Sequence, residues 1–320
     1  MAEFVTISQV EDGTRLLRWF LRNYPGMLQR DFYKLCRGGQ IRINSSRCKG
    51  TEILKTGDMV RIPPTLQSFK KVNKTETGEK FSLSDLEQLR KCIIYNDKDI
   101  VVFNKPAGIA VQGGTGIKKS IDKMAAALFP YDKISLVHRL DKETSGLLVV
   151  AKNQRAAQNL SSQFQNKTAY KEYLALLNCV IADKSGIIDN YIAKGQVFSD
   201  KMSVPKGIQA QRAITEYKVL GEATGLLTWV LFLPKTGRTH QLRLHSAYSL
   251  NAPIFGDSLY GRENRELDIS LKSFLNTQKL FLFAFRITFR HPGTNKNITL
   301  QANVPDFMQP VLNLLELQMP

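Results

Sequence analysis

Apolar residues recur with helical spacing near the start of this chain. In "GTRLLRWFLRNY", Leu16 and Phe20, then Leu17 and Leu21, repeat every four residues, which puts them on one side of a helix. Thr14 is a suitable N-cap. Arg15, Arg18 and Arg22 fall on the opposite face. The "NYPG" stretch breaks the pattern, and "MLQRDFYKLCRGG" predicts a second helix. Phe32 and Leu35 form its apolar side, while Arg30, Lys34 and Arg37 form a basic stripe. Gly38-Gly39 stops it. "QIRINSSRCKG" then alternates like a hairpin around Asn44, Ser45 and Ser46, carrying Arg42, Arg47 and Lys49. "KTGDMVRIP" closes the segment with a turn and a short strand.

The pattern changes further on. From Pro63-Pro64 the chain is polar and poor in aromatics, which predicts a linker. From about Ile93, short β-type runs dominate: "DIVVFNK", "GLLVVA", "EYLALL", "LTWVLFL", "LFLFAF" and "NITLQANV". Helical stretches are interspersed, such as "NQRAAQNLSSQF" with Ala156, Leu160 and Phe164 at four-residue spacing. Strands and helices do not alternate strictly. The expected fold class is therefore α+β, with a mixed, largely antiparallel sheet in the large domain and a small N-terminal α/β domain. The expected boundaries are 1–64, a linker at 65–92, and 93–320.

Charge adds a partner class. Lys and Arg number 45 against 28 Asp and Glu, a formal net charge of +17. Residues 1–75 hold 14 basic and 6 acidic residues, a net +8; the other 245 residues carry a net +9. Such an excess points to a polyanion, nucleic acid before membrane. No apolar run approaches the ~20 residues that span a bilayer, and the acidic N-terminus does not resemble a signal peptide. A cytoplasmic protein is expected. One basic stripe would suit a solvated helix face; two consecutive ones, with a basic hairpin after them, favour RNA. This segment resembles the S-four type RNA-binding domain. Four scattered cysteines, and His240 and His245 five apart, do not form a metal-ligand pattern, so no metal is expected. Neither a P-loop nor a dinucleotide fingerprint occurs.

The candidate chemistry lies in "LVHRLDKETSGLLVVA", Leu136 to Ala151. Asp141 sits on a polar loop just before an apolar strand. From these residues alone it is a solvated loop aspartate, a salt-bridge partner or a nucleophile. The stretch His138-Arg139-Leu140-Asp141, two residues, then Thr144-Ser145-Gly146 is similar to the signature of the RNA pseudouridine synthases typified by the ribosomal A, C and D enzymes. "NKPAG" at Asn104, "KEYLA" at Lys171, "TGRTHQLRLH" at Thr236 and "APIFGDSLYG" at Ala252 match further family elements in order. Asn251-Ala252 stands where related chains often have Gly-His.

The resemblance implies isomerisation of uridine to pseudouridine, with Asp141 as catalyst and no cofactor. It implies that Tyr173 stacks on the uracil and that Arg139 contacts RNA around a flipped base. It also implies that Arg243 pairs with Asp141 and keeps it ionised. The N-terminal domain and "GIAVQGGTG" resemble C-type chains, so the expected substrate is 23S ribosomal RNA, with no protein partner. Two other readings remain: a non-catalytic RNA-binding ribosome-assembly factor, or a family member acting on other rRNA sites or tRNA. A glycosidase using Asp141 would need a second carboxylate, and only Glu143 is close in sequence.

Overall fold

A computed structural model describes residues 3–24, 27–69, 81–114, 116–193, 195–261 and 279–320. The chain divides into two units, Met1–Lys80 and Phe81–Pro320.

Among the described residues, the first unit is a four-stranded antiparallel sheet with two α-helices. Strand β1 (Glu3–Thr6), helices α1 (Leu16–Asn23) and α2 (Gln29–Arg37), and strands β2 (Arg42–Ile43), β3 (Ser46–Arg47) and β4 (Met59–Ile62) follow in order, and the sheet runs β1-β4-β2-β3. The β2–β3 turn places Asn44 and Ser45 at positive φ, 49° and 70°, a pairing of conformations that matches strand twist in tight hairpins. Trp19, Phe20, Tyr24 and Phe32 fill the core, with Phe20 and Phe32 5.3 Å apart. Arg15, not Thr14, is the N-cap of α1, because Thr14 spends its carbonyl on the Leu54 amide. The Pro25-Gly26 break lies outside the described residues.

The second unit begins earlier than the composition suggests. Helix α3 (Leu83–Lys91) lies inside the segment expected to be a linker, capped by Ser82 and Asp85. Its Leu89 is buried against Phe103, Val111 and Met124. The linker expectation is corrected for 83–91; residues 70–80 lie outside the described residues. The polar pattern misled because α3 buries only one narrow stripe.

The sheet of this unit has eleven strands: β5 (Ile93–Asn96), β6 (Ile100–Lys105), β7 (Ser135–Leu136), β8 (Ser145–Ala151), β9 (Tyr170–Leu177), β10 (Ser185–Ala193), β11 (Gln196–Phe198), β12 (Gln211–Ala223), β13 (Leu227–Pro234), β14 (Leu282–Arg290) and β15 (Asn297–Gln301). The main order is β11-β10-β12-β13-β9-β14-β8-β6-β5, with β15 on β14 and β7 on β8. Among the described residues the pairing is antiparallel except between β14 and β8. Strands β6 and β8 are buried on both faces. Ile100, Val102, Leu147 and Val149 face one core; Val101, Phe103, Leu148 and Val150 face the other. That is why they read as continuous apolar runs. Helix α4 (Ile121–Leu128) covers the second core. Helix α5 (Gln154–Gln165), capped by Asn153, covers the first. The expected α+β class, with a mixed, mainly antiparallel sheet, holds.

Candidate active site

The Asp141 loop joins β7 to β8 and is pinned from below. The Lys142 carbonyl, one residue on, accepts from the Gly108 amide and from Lys105 Nζ, both at 2.9 Å. Lys105 is fully buried and gives its other two protons to the Pro106 and Ile109 carbonyls at 2.9 Å. Burial presses its pKa down to about 7, against the pull of Glu143 and Asp141. Three acceptors for three donors still suit an ammonium. Lys105 thus ties the "NKPAG" loop to the Asp141 loop. Gly146 sets the exit of the loop. At φ 104°, a Cβ there would meet the Ala284 carbonyl oxygen at 2.3 Å, so only glycine lets β8 pair with β14.

Asp141 opens onto a pocket of about 690 Å³, whose walls include Arg139, Tyr173, Lys171 and Arg243. The three side chains expected beside Asp141 are therefore brought together. Tyr173 comes from β9. Burial, then the charge of Asp141, pushes its phenol above the usual value, so its hydroxyl stays protonated. Lys171, two residues earlier, is lowered by burial. Arg139 is exposed and donates from Nη2 to Thr239 Oγ1 at 2.7 Å. The acids that could have taken it are engaged: Glu172 with Arg286 at 2.9 Å, Glu143 with Lys142 at 3.7 Å. His138 stacks on Phe164 at 4.5 Å, and its Nε2 accepts the Val149 amide at 2.8 Å. Burial and then Lys171 push its pKa down to about 3, so it is a neutral structural acceptor.

Arg243 corrects an expectation. Its direct partner is Asp257, not Asp141. Nε and Nη2 donate to the two carboxylate oxygens at 2.8 and 2.5 Å. Asp141 acts on Arg243 only through space. The pair is nearly inaccessible, and a buried guanidinium needs such two-point pairing. Burial works to raise the Asp257 pKa. The Arg243 bond and the Tyr260 and Leu259 amides outweigh it and hold the carboxyl below its usual range. Gly256, at φ 74°, lets this turn pass the Lys279 carbonyl, which a Cβ would meet at 1.9 Å. Asp257 was visible in the "FGD" stretch, but its partner was not.

A buried polar network holds the segment that carries Arg243, helix α6 (Gln241–Leu244). Gln241 Nε2 donates to the Ile214 carbonyl and to Thr215 Oγ1; its Oε1 accepts from Thr236 Oγ1 at 2.7 Å. Thr215 Oγ1 lies 2.9 Å from His245 Nδ1, and Asn190 Oδ1 lies 3.0 Å from Nε2. An amide oxygen only accepts, so Nε2 carries the hydrogen and Nδ1 takes the Thr215 proton. Burial pushes the His245 pKa down to about 4. Sequence reasoning missed Lys105, whose acceptors are backbone carbonyls with no side-chain signature, and Thr215, Asn190 and His245, whose partners lie 26 to 55 residues away in sequence. Asn251 adopts φ 50°, the left-handed turn that Asn tolerates.

In the first unit, Arg15, Arg18, Arg22, Arg30, Lys34, Arg37, Arg47 and Lys49 are exposed. Arg22 pairs with Glu11 at 3.0 Å. Arg42 is half-buried and donates to the Gly39 and Ser45 carbonyls. Among the described residues, no helix is long and apolar enough to cross a membrane.

A carboxylate, a neutral phenol and a paired arginine thus line one pocket on a mixed sheet. The RNA pseudouridylate synthase family pattern matches residues 99–248. The chain is 33% identical to the ribosomal large subunit pseudouridine synthase C of Haemophilus influenzae, over 98% of this chain and 95% of that one. It is 35% identical to the protein of that name from Vibrio vulnificus, over 98% and 96%. The solved human RNA pseudouridylate synthase domain containing 4 superposes with a TM-score of 0.62 at 27% identity, over 74% of this chain and 97% of that one. The chain belongs to the RNA pseudouridylate synthase family and is an RNA pseudouridine synthase.

Proposed function

We propose that this enzyme isomerises uridines of 23S ribosomal RNA and that Asp141 is its catalytic group. The observation that carries the assignment is Asp141 itself: a half-buried carboxylate at a pocket shared with Tyr173 and Arg243. The relatives named for the large ribosomal subunit match over almost the whole chain, which supports the substrate. Such a substrate implies the cytoplasm. In the reaction the bond from ribose C1′ to uracil N1 breaks and a bond from C1′ to C5 forms; the C5 hydrogen leaves and N1 gains one. Asp141 acts as a carboxylate.

Tyr173 offers a ring for the uracil to stack on. Arg139, exposed at the mouth, is placed to contact RNA where the base leaves its stack, offsetting part of the few kcal/mol of flipping. Arg243 is held by Asp257 and lends its charge to the pocket. The first unit, with its S-four-like order of two helices and a basic hairpin, serves as the RNA-positioning domain.

Asp141→Asn tests the assignment. Pseudouridine formation on a 23S transcript should vanish while RNA affinity survives. Turnover near the wild-type rate would refute it. Mapping pseudouridines in ribosomal RNA from cells lacking the gene tests the substrate; an unchanged map would refute that part alone.

A further inference from the structure

His240 opens α6 with a left-handed backbone, φ 53° and ψ 24°. Residues with a Cβ seldom take this conformation, and it persists where the surrounding structure enforces it. The conformation aims the imidazole in two directions. Nδ1 lies 2.9 Å from the Tyr260 hydroxyl, and the two rings meet edge to face at 5.7 Å. Nε2 lies 3.9 Å from Asp141 Oδ1. Both ends of that second contact are only about a quarter exposed, 25% and 24%.

Tyr260 is itself fixed. Its amide donates to Asp257 Oδ1 at 3.0 Å, and its ring lies 5.3 Å from the Arg243 guanidinium. A connected run therefore leads from Arg243 through Asp257, Tyr260 and His240, and ends at Asp141. With the Tyr260 hydroxyl donating to Nδ1, a hydrogen on Nε2 faces the carboxylate.

We propose that His240 is a positioning residue for Asp141. Its ring, anchored at Nδ1 by Tyr260, holds one carboxylate oxygen from behind so that the other faces the nucleotide while the uracil turns. The proposal rests on Asp141 as the catalyst. At 3.9 Å the contact is longer than a hydrogen bond; catalytic contacts of this kind tighten when substrate fills the site. The strained backbone is then accounted for: the left-handed turn is what lets one ring reach both Tyr260 and Asp141.

Three full-length variants test this on one ribosomal RNA transcript: His240→Asn, Tyr260→Phe and Asp141→Asn. Asparagine accepts a left-handed backbone but has nothing at the place of Nε2. His240→Asn should melt like the wild type and keep its KM, while kcat falls by about tenfold or more, some 1.4 kcal/mol of barrier. Tyr260→Phe keeps the ring over Arg243 and loses only the anchor, so kcat should fall by a smaller factor. Added to His240→Asn, it should cost nothing more, since both act through one ring.

A wild-type kcat in His240→Asn would overturn the proposal, and so would a loss confined to KM, which would mark an RNA contact. If His240→Asn melts early, Tyr260→Phe decides, and its unchanged kcat would overturn the proposal too. Asp141→Asn separates the two levels. If it keeps turning over, the catalyst is misassigned; if it is dead while His240→Asn runs at full rate, only the role of His240 fails.

Discussion

At the scale of the residue, the site depends on charged and neutral groups being held in one state. Arg243 and Asp257 satisfy each other almost out of reach of water. Removing one partner of such a pair leaves an uncompensated buried charge, at a cost of about 3–5 kcal/mol. Arg243→Lys keeps the charge but loses the planar two-point pairing. Turnover should fall well beyond tenfold, more than about 1.4 kcal/mol of barrier. Single-turnover kinetics on the transcript would check it, and an unchanged rate would remove Arg243 from the site. His245 makes a pH prediction. Its folded pKa of about 4 lies below the ordinary 6.5, so the unfolded chain binds the extra proton between those values. Stability from the neutral ring is complete above pH 6.5 and is lost as pH falls toward 4, on the order of 3 kcal/mol. Urea unfolding at pH 7 and pH 5 measures the slope. A His245→Gln variant, weaker at pH 7, should show a flatter one.

At the scale of the element, the parallel pairing of β14 with β8 brings the Asp141 loop to the pocket. Phe283 pairs with Ser145 and Ala284 with Gly146, directly after the Asp141 loop. Gly146→Ala would drive a Cβ into the Ala284 backbone and leave a non-glycine residue at φ 104°. Neither backbone can yield cheaply in a sheet buried on both faces. The variant should lose several kcal/mol of stability, as overpacking and strain each cost about 1–3 kcal/mol, and turnover should fall further than stability alone explains. Denaturant midpoints set beside kcat would show it; a wild-type midpoint would mean the strands part easily.

At the scale of the whole molecule, each unit buries its own core. The apolar cluster of the first runs from Ile7 to Leu66, and those of the second begin at Phe81. Removing residues 1–80 therefore takes away 15 Lys and Arg against 8 Asp and Glu and none of the pocket. The truncated enzyme should fold. It should bind ribosomal RNA more weakly, with a log–log salt slope shallower by about 0.7–0.9 for each phosphate that the first unit had neutralised. Asp141, Tyr173 and Arg243 remain, so it should still modify a short RNA that the full chain accepts. Equal affinity and slope in both proteins would make the basic stripes solvated faces and move RNA positioning to the second unit.

The chain's own pattern determined the two-unit layout, the α+β class and the runs that became β6, β8, β9, β13, β14 and β15, because apolar periodicity is local and burial on both faces leaves continuous runs. Resemblance to a known family, carried by short motifs, marked Asp141, Arg139, Tyr173 and Arg243; the residues by themselves left Asp141 open. The pattern did not show β1, β7, β10 or β12, whose half-exposed strands mix polar and apolar positions, nor α3, whose buried stripe is narrow. Only the tertiary structure decided that Arg243 belongs to Asp257. Both acids are equally plausible along the chain, and the choice was made by which carboxylate the fold buries beside the guanidinium. The same holds for the ring of His240: its left-handed backbone is local, but the two groups it reaches, Tyr260 and Asp141, lie 20 and 99 residues away in sequence and are brought to it only by the fold.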